Sequence, residues 1–224
     1  MLADSLRQAG AVMVTRDGHE VAGNYGSATA ELAACVSSAG VAIRSDLDVL
    51  ELTAQADWLQ DALSDPTGGV PLTAGWAVDT GGAWCAIVGD DRALVVGPPV
   101  EIARWKALAE ERAIRAGHSI GSAERTATTT AMTLVGPVLG PLLMRAGLPT
   151  DVPVGGVLEC HFAGGDTVVL RQRPERCLLF VARDRAEDAW GALLTAGHPL
   201  DVALVGIEAL ERLDASGRRE PAPA

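Results

Sequence analysis

The chain has 224 residues, 48% hydrophobic and 21% charged, a balance that sets it apart from disordered, collagenous and membrane-embedded chains. Seventeen arginines and one lysine, Lys106, leave a net charge of −11 against 29 acids; an acidic surface repels phosphate backbones, so nucleic acid is excluded as an expected partner. At this length about 70% of the surface of the unfolded chain is buried on folding, so a hydrophobic core suffices for stability.

In chain order, residues 1–24 mix charged and apolar positions and are expected to wrap the body; Asp4, Arg7, Arg16 and Asp17 leave no apolar stretch for a signal peptide. Ser27 to Ser38 reads as a helix. Ala28, Leu32, Cys35 and Val36 recur at helical spacing, Ser27 or Thr29 can cap the start, and Gly40 follows the end. Val41 to Ile43 and Val49 to Leu52 read as strands around the polar turn Arg44-Ser-Asp-Leu-Asp48, and Asp57 to Leu63 as a short helix ended by Asp65 to Gly69. Three paired strands are expected next: Leu72 to Val78, Ala83 to Val88 and Ala93 to Gly97. Their turns are Asp79-Thr-Gly-Gly82, where a glycine can take positive φ, and Gly89-Asp-Asp-Arg92. Pro99 to Ala116 is an amphipathic helix with Ile102, Trp105, Leu108 and Ala109 on one face.

Thr126 to Val135 is rich in β-branched residues and reads as a strand; Gly136-Pro137 then opens a helix through Ala146. Val157 to Phe162, Thr167 to Arg171 and Cys177 to Ala182 read as strands, and Arg185 to Ala196 and Val202 to Leu213 as helices. The polar tail, 215–224, is expected to be disordered. The expected class is α+β, with two similar halves of mainly antiparallel sheet (about 20–125 and 126–214) forming a single unit over 1–214. Neither a GxGxxG nor a GxxxxGK[ST] motif is present.

The four cysteines, Cys35, Cys85, Cys160 and Cys177, show no metal-ligand spacing, so neither a metal nor a disulfide is expected and the chain reads as a reduced, cytoplasmic protein. No apolar run reaches the roughly 20 residues that span a bilayer, so no membrane association is expected; Ala131 to Leu148 is broken by Gly136-Pro137, Gly140-Pro141 and Arg145.

Four stretches together resemble the aminomethyltransferase (glycine-cleavage T-protein) folate-binding superfamily. They are Val21-Ala-Gly-Asn-Tyr-Gly26 with Glu31 and Gly40 to Asp46; Asp79-Thr-Gly-Gly82 with Gly89 to Val96; Leu134-Val-Gly-Pro137; and Leu179 to Ala182 with Trp190 to Leu194, Ala196-Gly197 and Gly206. They run from about residue 20 to 213, without the separate C-terminal barrel of that superfamily, in which the short form is most similar to the sarcosine oxidase gamma subunit. The resemblance implies a central cavity for a flat heteroaromatic ligand, with tetrahydrofolate as the cofactor.

The same resemblance implies an acidic pair two residues after the Gly-Gly turn, where this chain has Cys85 and Ala86, and a pterin-binding glutamate near Pro174 or Glu175. The usual one-carbon-transfer residues are therefore expected to be replaced, unless a carboxylate such as Asp79 or Glu159 reaches the cavity instead. Trp76 and Trp84 are candidate stacking faces, with core packing as the alternative. Cys85 is a candidate ligand contact, with an inert buried thiol as the alternative. Glu175 is a candidate acceptor for a ring, with a surface cluster beside Arg173 and Arg176 as the alternative. Glu159 and His161, two apart on one strand, share a face and form a candidate catalytic acid/base pair, with a half-exposed strand edge as the alternative.

Three functions fit these residues. One is a divergent superfamily member binding a folate-like or other flat ligand. The second is a non-catalytic gamma-type subunit with a larger flavoenzyme partner. The third is a repurposed enzyme acting on a ring-containing small molecule without folate. Self-association into a homo-oligomer is compatible with each.

Overall fold

The computed structural model describes residues 2–64 and 72–217. In chain order the elements are α1 (Leu2–Gln8), β1 (Val12–Arg16), β2 (His19–Asn24), α2 (Ala28–Ser37), β3 (Gly40–Ile43), β4 (Asp48–Thr53) and α3 (Ala56–Ser64). There follow β5 (Ala77–Asp79), β6 (Trp84–Ile87), β7 (Arg92–Gly97), α4 (Pro99–Ala116), β8 (Gly121–Glu124), β9 (Thr129–Val135) and α5 (Leu139–Ala146). The last are β10 (Val157–Phe162), β11 (Gly165–Arg173), β12 (Arg176–Ala182), α6 (Ala186–Gly197), β13 (Ala203–Leu204) and α7 (Ile207–Gly217). The class is α+β with antiparallel pairing throughout the two large sheets, apart from the parallel contact of β13 with β3.

One sheet has six strands in the order β10-β11-β12-β9-β3-β13, the other five in the order β5-β6-β7-β4-β8. Strand alternation puts them face to face. On β12, Leu178 and Phe180 point at the second sheet and meet Val49, Ala86, Leu94 and Val96, whereas Cys177, Leu179 and Val181 point into a core under α5 and α6. On β7, Leu94 and Val96 face the first sheet, while Ala93 and Val95 pack on Ile102, Trp105 and Ala109 of α4. The result is four layers, helix, sheet, sheet, helix, with apolar residues in each gap. β12 is buried on both faces because it is central in its sheet and covered on each side, which accounts for its unbroken run Cys177-Leu-Leu-Phe-Val181.

A fourth apolar cluster joins α2 and α7 over β3 and β9 through Cys35, Ala42, Val135, Val205, Ala209 and Leu210. Its clasp is Glu31, 6% exposed. The Glu31 carboxylate accepts a hydrogen bond from Tyr25 N at 2.6 Å and from Gly206 N at 2.8 Å, tying the exit of β2 to the start of α7. Gly206 has to be glycine there, because a Cβ would lie 2.0 Å from the carbonyl oxygen of Gly23.

Several expectations are corrected. Val41 to Ile43 and Val49 to Leu52 are strands, but of different sheets, and Arg44 to Leu47 is the crossover between them. The chain crosses back between β8 and β9, near residue 125, so β4 to β8 form one large sheet and β3 with β9 to β13 the other. Of Leu72 to Val78, Ala77 and Val78 pair within β5 and Trp76 makes a lone bridge to Gly156. Residues 2–24 supply α1 and the β1-β2 hairpin. Val202 to Leu213 begins with β13 before α7, and α7 extends to Gly217, so 215–217 are helical; the rest of the expected disordered tail, 218–224, lies outside the described residues, as does the expected helix stop at 65–69. Among the described residues no helix is long and apolar enough to cross a membrane, and no group of His, Cys, Asp and Glu side chains is placed to hold a metal ion. All four cysteines are free thiols.

Candidate functional site

The gap between the sheets is filled by apolar side chains along its middle and opens into a cavity at each end of β7. Where β7 ends, a half-enclosed cavity of about 280 Å³ is built from both sheets and from α7. The five-stranded sheet contributes the β5-β6 hairpin, with Asp79, Gly81, Gly82 and Trp84, and the end of β7. Thr80 locks that hairpin by donating from its hydroxyl to the carbonyl of Ala83 at 2.8 Å, and Gly81 takes a φ of 81°. Gly81 N also donates to Asp79 Oδ1 at 2.9 Å.

The six-stranded sheet contributes Gln172, Arg173, Arg176 and Leu178. Register shifts between Arg171 and Arg173, leaving Gln172 as the extra residue of a β-bulge, and bulges re-aim side chains. Arg44, from the crossover, grips Asp46 in a two-pronged pair (Nη2 to Oδ2 at 2.6 Å, Nε to Oδ1 at 2.8 Å). Arg176, 9% exposed, pairs with Asp214 of α7. Two buried atoms of this wall, Gln172 Oε1 and Arg176 Nε, have no hydrogen-bond partner among the described residues.

Where β7 begins, a second hollow of about 440 Å³ is crossed by a chain of charges. Arg125 Nη2 meets Glu51 at 2.6 Å, Glu51 meets Arg92 at 3.8 Å, and Arg92 pairs with Glu159 across the gap.

These cavities sort the expected site residues. Trp84 is half-buried and lines the first cavity, as a stacking face would. Trp76, 46% exposed at the far edge of the hairpin, does not line it; its bridge to Gly156 instead helps lace the two sheets together, along with Ala77 N to Gly155 O at 2.7 Å and Val157 N to Gly75 O at 2.8 Å. Cys85 is corrected: one residue along β6 from Trp84, it points the opposite way, into the core beneath α4, fully buried. Burial pushes its thiol up to about 12, which leaves it protonated and inert.

Glu175 is corrected as well. It sits exposed in the β11-β12 turn, where its backbone carbonyl accepts from Gly136 N at 2.8 Å, and its neighbours Arg173 and Arg176 line the cavity in its place. Glu159 and His161 do not form an assembled acid/base pair. Glu159 is committed to Arg92, and His161, with 69% of its side chain exposed, faces Asp166 at 3.6 Å on the neighbouring strand. Two carboxylates do reach the first cavity: Asp79, one of the two named as able to stand in for the missing acidic pair, and Asp214, which was not named. Arg44, Arg176 and Asp214 were missed because nothing in their local sequence sets them apart; they meet only through the fold.

No family model matches the sequence, and no curated protein matches it. Among solved structures, the chain is similar to the glycine cleavage system aminomethyltransferase T from Bartonella henselae, with a TM-score of 0.75 at 18% identity. That match covers 93% of this chain and 59% of the other, so the chain spans less than two thirds of the aminomethyltransferase. It is also similar to a chain of the heterotetrameric sarcosine oxidase from Corynebacterium sp. U-96, solved in complex with pyrrole 2-carboxylate: the TM-score is 0.59 at 18% identity, over 77% of this chain and 92% of that one.

Proposed function

Taking as premise the aminomethyltransferase-like fold that these likenesses establish, we propose that the chain binds a folate-like or other flat, ring-containing small molecule in the cavity where β7 ends. The observation that carries this reading is Trp84: one aromatic side chain, held half-buried on a strand, beside polar groups that converge from both sheets. Binding pockets for drug-sized ligands start at roughly 300 Å³. A cavity of about 280 Å³ therefore suits a ring head group, with any longer tail left outside.

Tetrahydrofolate is the cofactor this reading points to, and it would supply a reactive ring nitrogen. What the chain itself offers is a carboxylate. Asp214 is neutralised by Arg176, which leaves Asp79 as the acid placed to orient an amine in the cavity. Cys85 and Ala86, after the Gly-Gly turn, have no such capacity. Calorimetry with 5-formyltetrahydrofolate and with a bare pterin tests the reading. Saturable heat is expected, weakened about tenfold by Trp84→Ala, in line with the worth of an aromatic contact. Absence of heat from either ligand at millimolar concentration overturns it.

A second reading is that the chain is a non-catalytic subunit of a flavin-bearing assembly. One observation favours it: the match spans 92% of the sarcosine oxidase chain against 59% of the aminomethyltransferase. A tagged copy expressed in its native cells is then expected to co-purify with larger, yellow chains. Recovery as a lone monomer, or only with copies of itself, counts against that assembly.

A further inference from the structure

The charges around the cavity specify more than a flat ring. Arg44 is matched by Asp46 and Arg176 by Asp214, so those four groups cancel in pairs. Two charges are left over, on opposite walls. Arg173, on the six-stranded sheet, has no ion-pair partner among the described residues, and neither has Asp79, on the five-stranded sheet, which spends one oxygen on Gly81 N. Arg173 and Arg176 are register partners on β11 and β12. Like charges directly opposite each other destabilise a sheet, and Asp214 neutralises only one of the two. The same wall holds the buried acceptor Gln172 Oε1 and the buried donor Arg176 Nε, neither with a partner among the described residues. Leaving one such atom unsatisfied costs about 1–3 kcal/mol, so two in one cavity wall leave an acceptor and a donor for something other than the protein itself to meet.

Resting on the reading that this cavity is a ligand site, we propose that its ligand is a zwitterion built on one ring, with its anionic group held by Arg173 and its amine by Asp79 across the face of Trp84. Packed sheets stand about 10 Å apart, a gap that a single ring with a substituent at each end can bridge. Opposed charges on the two walls also reject the alternatives. An anion alone meets Arg173 but crowds Asp79, and a cation alone does the reverse, so each loses at one wall what it gains at the other.

Three probes of nearly equal size separate these cases in calorimetry: 4-(aminomethyl)benzoate, 4-methylbenzoate and 4-methylbenzylamine. The zwitterion is expected to bind at least about tenfold more tightly than either single-charge probe, the worth of one charge-assisted hydrogen bond. Arg173→Gln is expected to remove that advantage over the amine, whose own affinity rises as the repulsion from Arg173 is lost. Asp79→Asn, which keeps the oxygen that accepts from Gly81, is expected to remove the advantage over the benzoate. Equal affinities for all three probes, or a loss in Arg173→Gln that is the same for every probe, overturns the proposal. So does binding of 5-formyltetrahydrofolate without binding of the zwitterion, which leaves the ligand-site reading standing. If neither the folate nor any of the three probes binds, the ligand-site reading falls too.

Discussion

Where β7 begins, Arg125, Glu51, Arg92 and Glu159 form an unbroken chain of alternating charge across the gap between the sheets. Where β7 ends, five residues on, Arg44 and Arg176 are matched, but Arg173, Asp79, Gln172 Oε1 and Arg176 Nε are not. Both ends lie over the same apolar gap, so hydrophobic packing does not distinguish them. The difference lies in how charge is matched, since Thr167 Oγ1 at the first end is itself buried without a hydrogen-bond partner among the described residues. A closed chain of ion pairs holds two layers together and leaves no charge over; an open one gives up some stability and keeps charges free.

The largest test removes what the ends share. Phe180, 5% exposed, belongs to the apolar cluster between the sheets, and Phe180→Ala is expected to cost about 3–5 kcal/mol in urea unfolding. A loss under about 1 kcal/mol would mean that the sheets scarcely depend on each other, and the comparison of ends would lose its footing.

Next in size is an alkaline effect, which checks the face of β6 turned away from the cavity. Burial raises the Cys85 thiol from 9.0 to about 12, and that of Cys177 likewise, so the folded chain keeps protons that the unfolded chain gives up. This stabilisation is complete below pH 9 and drains away as pH climbs toward 12. Melting temperature is expected to fall over that window, and Cys85→Ala to flatten the decline; a profile unaltered by the substitution would show the thiol to be solvated.

At the closed end, Glu51→Gln strips the shared partner from Arg92 and Arg125 and is expected to cost about 1 kcal/mol, since both arginines are partly exposed. Ligand affinity at the other end should not move, and a change in it would show that the ends communicate. Smallest of all, His161→Ala and Glu159→Gln are each expected to shift stability by less than about 0.5 kcal/mol and to leave binding unchanged. A marked loss of affinity in either would return that strand edge to the site.

Much of the architecture was legible in the sequence because it is locally encoded. α4 falls on Pro99–Ala116 as expected, since proline and glycine punctuate an amphipathic repeat, and β10 matches its expected span. β8 was missed, being a short polar edge strand that exists only by pairing with β4. β13 was read as helix, because its parallel partner β3 lies more than 150 positions away. Of the candidate site residues, Trp84 lines the first cavity. Cys85 was weighed as a ligand contact against an inert buried thiol, and the alternation of β6 makes it the thiol; the Glu159–His161 spacing put two side chains on one face without showing that Arg92 had already claimed one of them. Arg44, Arg173, Arg176 and Asp214 are drawn together from the β3-β4 crossover, the six-stranded sheet and α7, a meeting no local pattern records.

That α7 supplies Asp214 has a consequence for how the protein is made. A chain leaving the ribosome has strands β1 to β12 in hand well before residue 214 emerges, so both sheets can form while Arg176 still lacks its counter-charge. The pocket is finished last, once Glu31 has gripped Gly206 and set the helix in line. A nascent chain stalled short of α7 would therefore hold both layers of sheet yet lack the Asp214 carboxylate that lines the cavity and pairs with Arg176.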